Sequence, residues 1–258
     1  MVSSLLEHER HRQVDHLWLS SLPNRNALSL QLLGELRTAV RDSAADPSSR
    51  GLILDHRGTV FCAGVDLVER RTLPPATLDH SSLLTGLLKE LWAYPKPLLC
   101  RVGGAVRGGG MGLVTCADVV VATASASFGY TEVRVGVAPA LVGALGMTKV
   151  GGTALLPWLL TGRIFDSATA VGLGLVTDAV DGEGEAELDA LVEALLQGAP
   201  GAVQTTKALA RRLVPVDVPD LLDEMEQLSR DLFTSAEAAE GMSAFGEHRQ
   251  PSWRTPAG

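Results

Sequence analysis

The chain has 258 residues, of which 46% are hydrophobic, 20% charged and 4% aromatic, and its formal net charge is −8 at pH 7. The length suits one large domain with at most a small appendage, and the composition is that of a well-packed globular protein. The acidic balance argues against a nucleic-acid-binding surface, and no apolar run reaches the ~20 residues that a membrane span needs.

The cysteines and the amino terminus indicate a reducing compartment. Cys62, Cys100 and Cys116 are too few and too widely spaced for a disulfide framework, and neither a CxxC pair nor the histidine spacing suggests a metal site. The first residues, MVSSLLEHERHRQ, are charged and lack the apolar segment of a signal peptide. We therefore expect a cytoplasmic protein that binds no metal, nucleic acid or membrane.

In the first half of the chain, the pattern predicts strands alternating with amphipathic helices. A strand at 16–20 and a turn, LPNRNAL, precede a helix over 29–45, whose apolar positions recur at helical spacing. GLILDH, at 51–56, predicts a short buried strand, and HRGTVFCAGVDL predicts a loop of small residues. A second amphipathic helix is predicted at 79–93, where YPKP ends it.

The second half continues this alternation and then becomes helical. LLCRVGGAV predicts a strand that leads into a glycine run and a helix near 110–117; VVVATA predicts another strand, and SFGYTEVRVGVAP an irregular stretch. LVTDAV predicts a further strand, after helices near 143–161 and 166–172. The alternation indicates an α/β core with crossover connections over 1–195. A helical carboxy-terminal region is predicted over 196–258.

The stretch RGGGMGLVTCAD, residues 107–118, contains three consecutive glycines before a predicted helix. Glycines let backbone N–H groups approach a ligand closely, and a helix start offers unpaired N–H groups to an anion. The run lacks the GxGxxG pattern of dinucleotide folds and the GK[ST] ending of a P-loop, so alone it is equally consistent with a tight turn. A second small-residue loop holds Ala63 and Gly64. Two N–H groups, one from each loop, could form an oxyanion hole.

Four blocks of the sequence resemble the crotonase, or enoyl-CoA hydratase/isomerase, superfamily, in its order and spacing. They are FCAGVDL, KPLLCRVGGAVRGGGMGLVTCADVVVATASASFGYTEVRVGVAP, LTGRIFDSATAVGLGLV and EGMSAFGEHRQPSW. The resemblance, from about His16 to Trp253, implies an α/β fold: a spiral of ββα repeats with a helical trimerisation region at the carboxy end. It implies a homotrimer or a dimer of trimers, and backbone N–H groups of Ala63 and Gly109 that polarise the thioester carbonyl of an acyl-CoA. Coenzyme A then arrives with the substrate, and no other cofactor is expected.

The acids of the family's active sites are only partly present. Hydratases of the family use two glutamates, and the resemblance places these positions at Gly112 and Glu132. A third acidic position, used by dienoyl isomerases of the family, corresponds to Ala140. Without the resemblance, Glu132 would be interpreted as a solvated glutamate or a partner of Arg134. With it, Glu132 is the expected acid/base, since a lone glutamate in an apolar pocket has a raised pKa that suits proton transfer near neutrality.

One glutamate leaves three functions open. It could deprotonate water for addition to a 2-enoyl-CoA, or move a proton between C2 and C4 of a 3-enoyl-CoA. The combination of GGGxGLV with TEVRxGVAP resembles bacterial hydratases associated with branched glutaconyl-type thioesters, which places the hydratase first and the isomerase second. A non-catalytic acyl-CoA-binding protein on the same scaffold is the third alternative, because Gly112 supplies no carboxylate.

The resemblance also implies contacts with coenzyme A. An arginine near the start of the family's fold contacts the adenine and phosphates, and residues after the oxyanion loop flank the pantetheine or adenine. The positions of Phe245, His248 and Arg249, in the last helix, approach the nucleotide of a neighbouring subunit in this family. Asp66 is a candidate acid, although a helix cap is the favoured interpretation. Arg107 and Gly103 stand where an apolar residue and an asparagine are usual. The expected substrate-binding set is Arg25, Ala63, Val65, Asp66, Leu67, Gly109, Gly112, Phe245 and His248.

Overall fold

Two β-sheets of unequal size form the framework in this computed structural model, which describes residues 4–73 and 80–254. The strands are β1 (Leu6–His11), β2 (Val14–Leu19), β3 (Gly51–His56), β4 (Val60–Cys62), β5 (Leu98–Val102), β6 (Ala105–Arg107), β7 (Val119–Thr123), β8 (Ser127–Gly129), β9 (Phe165–Asp166) and β10 (Asp178–Val180). The six-stranded sheet has the order β1-β2-β3-β5-β7-β10, and the four-stranded sheet the order β4-β6-β8-β9. Only the β1–β2 and β8–β9 pairs are antiparallel in the described residues.

Helices follow the strands at regular intervals. They are α1 (Leu30–Ala45), α2 (Leu67–Thr72), α3 (His80–Trp92), α4 (Gly109–Cys116), α5 (Ala140–Val150), α6 (Gly152–Thr161), α7 (Ser167–Leu173), α8 (Glu185–Gln197), α9 (Pro200–Arg212), α10 (Val218–Phe233) and α11 (Ala236–Gly246), with short 3-10 helices at Leu22–Asn24 and Glu132–Val135. No helix in residues 4–73 or 80–254 is long and apolar enough to cross a bilayer.

Three successive ββα units build the core. In β3–β4, β5–β6 and β7–β8, the first strand joins the large sheet and the second joins the small sheet, and helical segments follow each pair. The inner strands β3 and β5 are buried along their whole length, as expected for parallel strands covered on both faces. The predicted α/β spiral of ββα repeats is therefore confirmed.

Several local predictions are wrong for identifiable reasons. LLCRVGGAV forms two strands, β5 and β6, and the chain changes sheet at Gly103 and Gly104 between them. Strands β4 and β8, predicted as irregular, have only three residues each, too few for a periodic signal. Strand β1 was not predicted because it is a charged edge strand with exposed side chains. The helix predicted over 143–161 is interrupted at Gly151, whose φ is +93°.

The carboxy-terminal helices pack back onto the spiral. Helix α10 lies against α3 and α5, and α11 lies against the 3-10 helix Glu132–Val135. The predicted boundary between 1–195 and 196–258 falls inside α8, and that division stays a prediction. Residue 79 of the predicted helix 79–93, and residues 255–258, lie outside the described residues.

A glycine sets the close approach of α11 to the 3-10 helix. A Cβ on Gly241 would clash with the backbone carbonyl of Val135. We predict that Gly241→Ala moves α11 outward and lowers the free energy of unfolding by about 1–3 kcal/mol, the usual cost of overpacking. Chemical denaturation measures this change. The control is Gly34→Ala in α1, where no atom lies within 4 Å of the new Cβ; this variant should gain up to about 1 kcal/mol from helix propensity. Equal effects of the two changes would contradict the packing explanation.

Candidate active site

A cavity of about 670 Å³ lies where the amino end of α4, the 3-10 helix Glu132–Val135 and the helices α10 and α11 meet. Seven of the residues predicted for the site line this cavity, although they come from distant parts of the sequence. They are Arg25, Ala63, Val65, Leu67, Gly109, Glu132 and Phe245. The structure therefore brings most of the predicted set into one space, large enough to hold much of a ligand of drug-like size.

The two glycine-containing loops meet at one wall of this cavity. A Cβ on Gly64 would lie 3.6 Å from the backbone N of Gly109, and a Cβ on Gly109 would lie 3.7 Å from Cγ2 of Val65. Gly109 is the first residue of α4, so its N–H has no partner within the helix. No other group in the described residues accepts a hydrogen bond from it.

The predicted donor in the first loop is corrected by the hydrogen bonding. The Ala63 N–H donates to the carbonyl of Arg25 at 3.2 Å, so it is already occupied. Two further bonds tie the loop to Leu28, whose N–H donates to Gly64 O at 2.7 Å and whose carbonyl accepts from Asp66 N at 3.2 Å.

The N–H of Val65 replaces that of Ala63 as the available donor. In an extended segment, successive N–H groups point to opposite sides. Because the N–H of Asp66 points to Leu28, that of Val65 points away from Leu28. No acceptor for it exists in residues 4–73 and 80–254. The available pair is therefore Val65 and Gly109.

Glu132 is the acidic residue of the cavity. Its Oε1 lies 3.4 Å from the position that a Cβ on Gly108 would take, beside the glycine run. Its Oε2 is buried and has no hydrogen-bond partner among the described groups. This burial raises the pKa of Glu132 to about 7 because water no longer solvates the charged form. The carboxyl group can therefore both accept and donate a proton near neutral pH.

The position of the second family glutamate is filled by apolar side chains. A Cβ on Gly112 would lie 2.8 Å from Cδ2 of Leu88 and 3.1 Å from Cγ1 of Val142. The three atoms nearest to that Cβ all belong to Leu88 and Val142, so a longer side chain would have to displace them. Glu132 is the only carboxylate lining the cavity in the part of the chain that the structure describes. Gly112 itself is buried and does not line the cavity, so its predicted substrate contact is not what the structure shows.

Asp66 and His248 also lie outside the cavity lining. Oδ1 of Asp66 caps α2 by accepting from the N–H groups of Val68 and Glu69 at 3.0 and 2.9 Å. Its place in the substrate-binding set is thus corrected to the favoured structural role. His248 is exposed just beyond α11, whereas Arg249, named with it from the family resemblance, lines the cavity.

Phe245 lines the cavity of its own chain. It does so because α11 folds back onto the 3-10 helix that carries Glu132, and its approach to the nucleotide of a neighbouring subunit stays a prediction. Sequence reasoning also missed Leu88 and Val142, since only the packing of α3 and α5 brings them beside Gly112. Among the described side chains, no three of His, Cys, Asp and Glu gather where they could share a metal ion.

The raised pKa of Glu132 makes stability depend on pH. Because the folded-state pKa of about 7 exceeds the ordinary value of 4.5, the folded state binds more protons between these pH values, and stability falls as pH rises through this window. We predict that Glu132→Gln removes this loss. Its advantage in unfolding free energy over wild type should grow between pH 4.5 and 7 and level off above pH 7, reaching on the order of 3 kcal/mol. Denaturation at pH 4, 6 and 8 measures it, and a difference that does not change with pH would contradict the assignment.

The sequence of this chain is similar to known proteins along most of its length. The family model described as enoyl-CoA hydratase/isomerase matches residues 13–256. A Thermus thermophilus protein whose name also refers to enoyl-CoA hydratase is 35% identical over 240 residues, covering 91% of this chain and 95% of that protein. Enoyl-CoA hydratase domain-containing protein 2, mitochondrial, of Mus musculus is 33% identical over 245 residues, covering 91% of this chain and 82% of that protein.

Solved structures extend the likeness to the fold. The crystal structure of an enoyl-CoA hydratase from Mycobacterium avium is 34% identical, with a TM-score of 0.85, and the match covers 98% of this chain and 100% of that one. An enoyl-CoA hydratase structure from Mycobacterium smegmatis is 31% identical, with a TM-score of 0.79 and coverage of 98% and 100%. By its sequence blocks, its spiral core and these matches, the chain belongs to the enoyl-CoA hydratase/isomerase family.

Proposed function

We propose that this protein shifts the double bond of an enoyl-CoA thioester by proton transfer through Glu132 alone. The observation that carries the proposal is the pairing of one buried carboxyl group, poised near neutrality, with an apolar filling at Gly112. Isomerisation needs one base that removes and returns a proton, whereas water addition also needs an ordered water molecule. This pairing supports isomerisation ahead of hydration in our proposal, the reverse of the order expected from the sequence.

In this mechanism the thioester carbonyl of a 3-enoyl-CoA accepts hydrogen bonds from the N–H groups of Val65 and Gly109. The carboxylate of Glu132 removes a proton from C2, and the negative charge passes to the carbonyl oxygen, where the two donors stabilise it. Glu132 then returns the proton to C4, and the double bond moves to C2–C3. The reaction consumes no other reactant, and Glu132 ends in its starting state.

Hydration of a 2-enoyl-CoA is the second candidate, and the names of the relatives favour it. Glu132 would take a proton from water as the oxygen adds to C3, and would deliver a proton to C2. The water would have to lie elsewhere than beside Gly112, where Leu88 and Val142 fill the space.

The two reactions and the role of Glu132 are tested together. We predict that the wild-type protein converts a 3-enoyl-CoA to the 2-enoyl isomer faster than it hydrates crotonyl-CoA, measured by absorbance and confirmed by chromatography. Glu132→Gln should lower the isomerase rate by roughly 10²–10⁴-fold, the usual contribution of a general base. Since the base is the ionised form, kcat/KM should rise with pH up to about 7 and then level off.

The matched control for this test is Glu69→Gln, which changes a glutamate outside the cavity lining. Faster hydration than isomerisation would favour the second candidate. Binding of acyl-CoA with neither reaction would establish the non-catalytic alternative and remove the assigned role of Glu132.

The apolar filling at Gly112 provides a separate prediction. Gly112→Glu alone should fold poorly, because its side chain meets Leu88 and Val142 and buries a carboxylate. Gly112→Glu combined with Leu88→Ala makes room for the new side chain, and this double variant should gain hydration of crotonyl-CoA relative to isomerisation. Leu88→Ala alone is the control, expected to lose about 2–5 kcal/mol of stability without gaining hydration. Equal reaction ratios in the wild type and a folded double variant would contradict the role given to this space.

A further inference from the structure

One serine interrupts the apolar face of α10. Val218 and Leu222 are buried in the core, and Met225 packs against it. These residues recur at the spacing of a single helical face, and Ser229 and Phe233 continue that spacing. The serine therefore stands where the helix pattern calls for an apolar side chain.

The hydroxyl group of Ser229 is buried and has no hydrogen-bond partner in residues 4–73 and 80–254. Ser229 is 6% exposed and, besides Glu132, is the only buried polar side chain that lines the cavity in the described chain. A helix hydroxyl can donate to the carbonyl four residues earlier, as those of Thr115 and Thr161 do, but Ser229 makes no such bond. The unbonded hydroxyl oxygen of Thr85 is fully enclosed by protein, whereas that of Ser229 is not. The free hydroxyl therefore faces the cavity.

The helical wall around this hydroxyl is otherwise apolar. Every other described residue that α3, α5, α10 and α11 contribute to the cavity lining is glycine or apolar, such as Leu84, Leu141 and Val142. Helix α10 packs against α3 and α5, so Ser229 shares one wall with these side chains. An ion would lose its solvation against such a wall, whereas a neutral polar group that bonds to the hydroxyl would lose much less.

This helical wall begins beside the proposed carbonyl site. Cδ2 of Leu84 would lie 3.5 Å from a Cβ on Gly109, whose N–H is a donor in the proposed mechanism. An apolar acyl chain whose carbonyl is bound there extends along the apolar wall. We propose that Ser229 forms a hydrogen bond with a hydroxyl group on the acyl chain, so that hydroxylated acyl-CoA thioesters are the favoured ligands. The inference rests on the proposed function, and it adds a substrate class.

The chemistry of a serine explains the expected preference. Its hydroxyl can both donate and accept a hydrogen bond, so a hydroxyl group of the ligand satisfies it in either direction. A hydrocarbon group of the same size would cover the hydroxyl of Ser229 and leave it unbonded, which costs free energy. A site that binds a hydroxyl in this way rejects the analogue that lacks it.

The test measures binding by isothermal titration calorimetry. The ligands are amide analogues of hexanoyl-CoA, in which N–H replaces the thioester sulfur so that hydroxylated chains do not cyclise. Analogues with a hydroxyl group at C4, C5 or C6 are each compared with the analogue that carries a methyl group at the same carbon. The wild-type protein should bind one of the hydroxylated chains about 3- to 10-fold more tightly than its methyl partner, as expected for a hydrogen bond between neutral groups.

Ser229→Ala should remove this preference. The matched control is Ser81→Ala, which removes a buried hydroxyl group outside the cavity lining and should keep the preference. Ser229→Ala should also unfold at no lower denaturant concentration than the wild type, because it removes a hydroxyl that bonds to no described protein group and because alanine favours a helix. A lower midpoint would assign the hydroxyl to the stability of the fold and overturn the inference.

The remaining outcomes are separable. Equal binding within all three pairs by the wild type overturns the inference, and so does a preference that survives in Ser229→Ala. Unchanged binding with slower hydration of crotonyl-CoA in Ser229→Ala would assign the hydroxyl to a water molecule instead of a ligand. Because the analogues bind without reacting, failure of the isomerase assay leaves the preference measurable.

Discussion

The site depends on a carboxyl group that is buried without a full set of hydrogen bonds. Oε2 of Glu132 has no partner among the described residues, and such a group costs stability that other contacts must offset. The surrounding structure supplies these contacts through α11, which packs against the 3-10 helix carrying Glu132. The burial that costs stability at Glu132 is the same burial that gives the proposed mechanism its acid/base group.

In the proposed mechanism, the apolar side chains packed against Gly112 are the second determinant of the reaction. Leu88 comes from α3 and Val142 from α5, and together they occupy the space where a second acid would stand. In the proposed isomerisation, a cavity with one acid and an apolar wall orients the substrate for proton transfer and admits little water.

Much of the fold and part of the candidate site could be predicted from the sequence, because local patterns and motifs determine them. The spiral order of strands and helices, the span of α1, and the placement of Glu132 beside the glycine run follow from periodicity and from the family blocks. The donor in the first loop could not be predicted, because the direction of each N–H group is set by Leu28, a distant partner. Strand β1 lacks an apolar pattern because it lies at an edge of the sheet.

The same limit applies to the side chains around Gly112. Nothing near that residue in the sequence indicates Leu88 or Val142, since packing between separate helices brings them together. Residues that act through their own chemical type were thus predictable, and residues that act by occupying space were not.

The cavity joins residues from opposite ends of the chain, Arg25 and Pro251 among them. During synthesis the amino-terminal wall is available early, but the wall formed by α10 and α11 emerges from the ribosome after all the strands. The strands of both sheets are therefore made before the helices that enclose the cavity, and the binding space is complete only once α10 and α11 have packed onto the spiral. The same helices also close the core, because Val218 and Leu222 of α10 are buried in it.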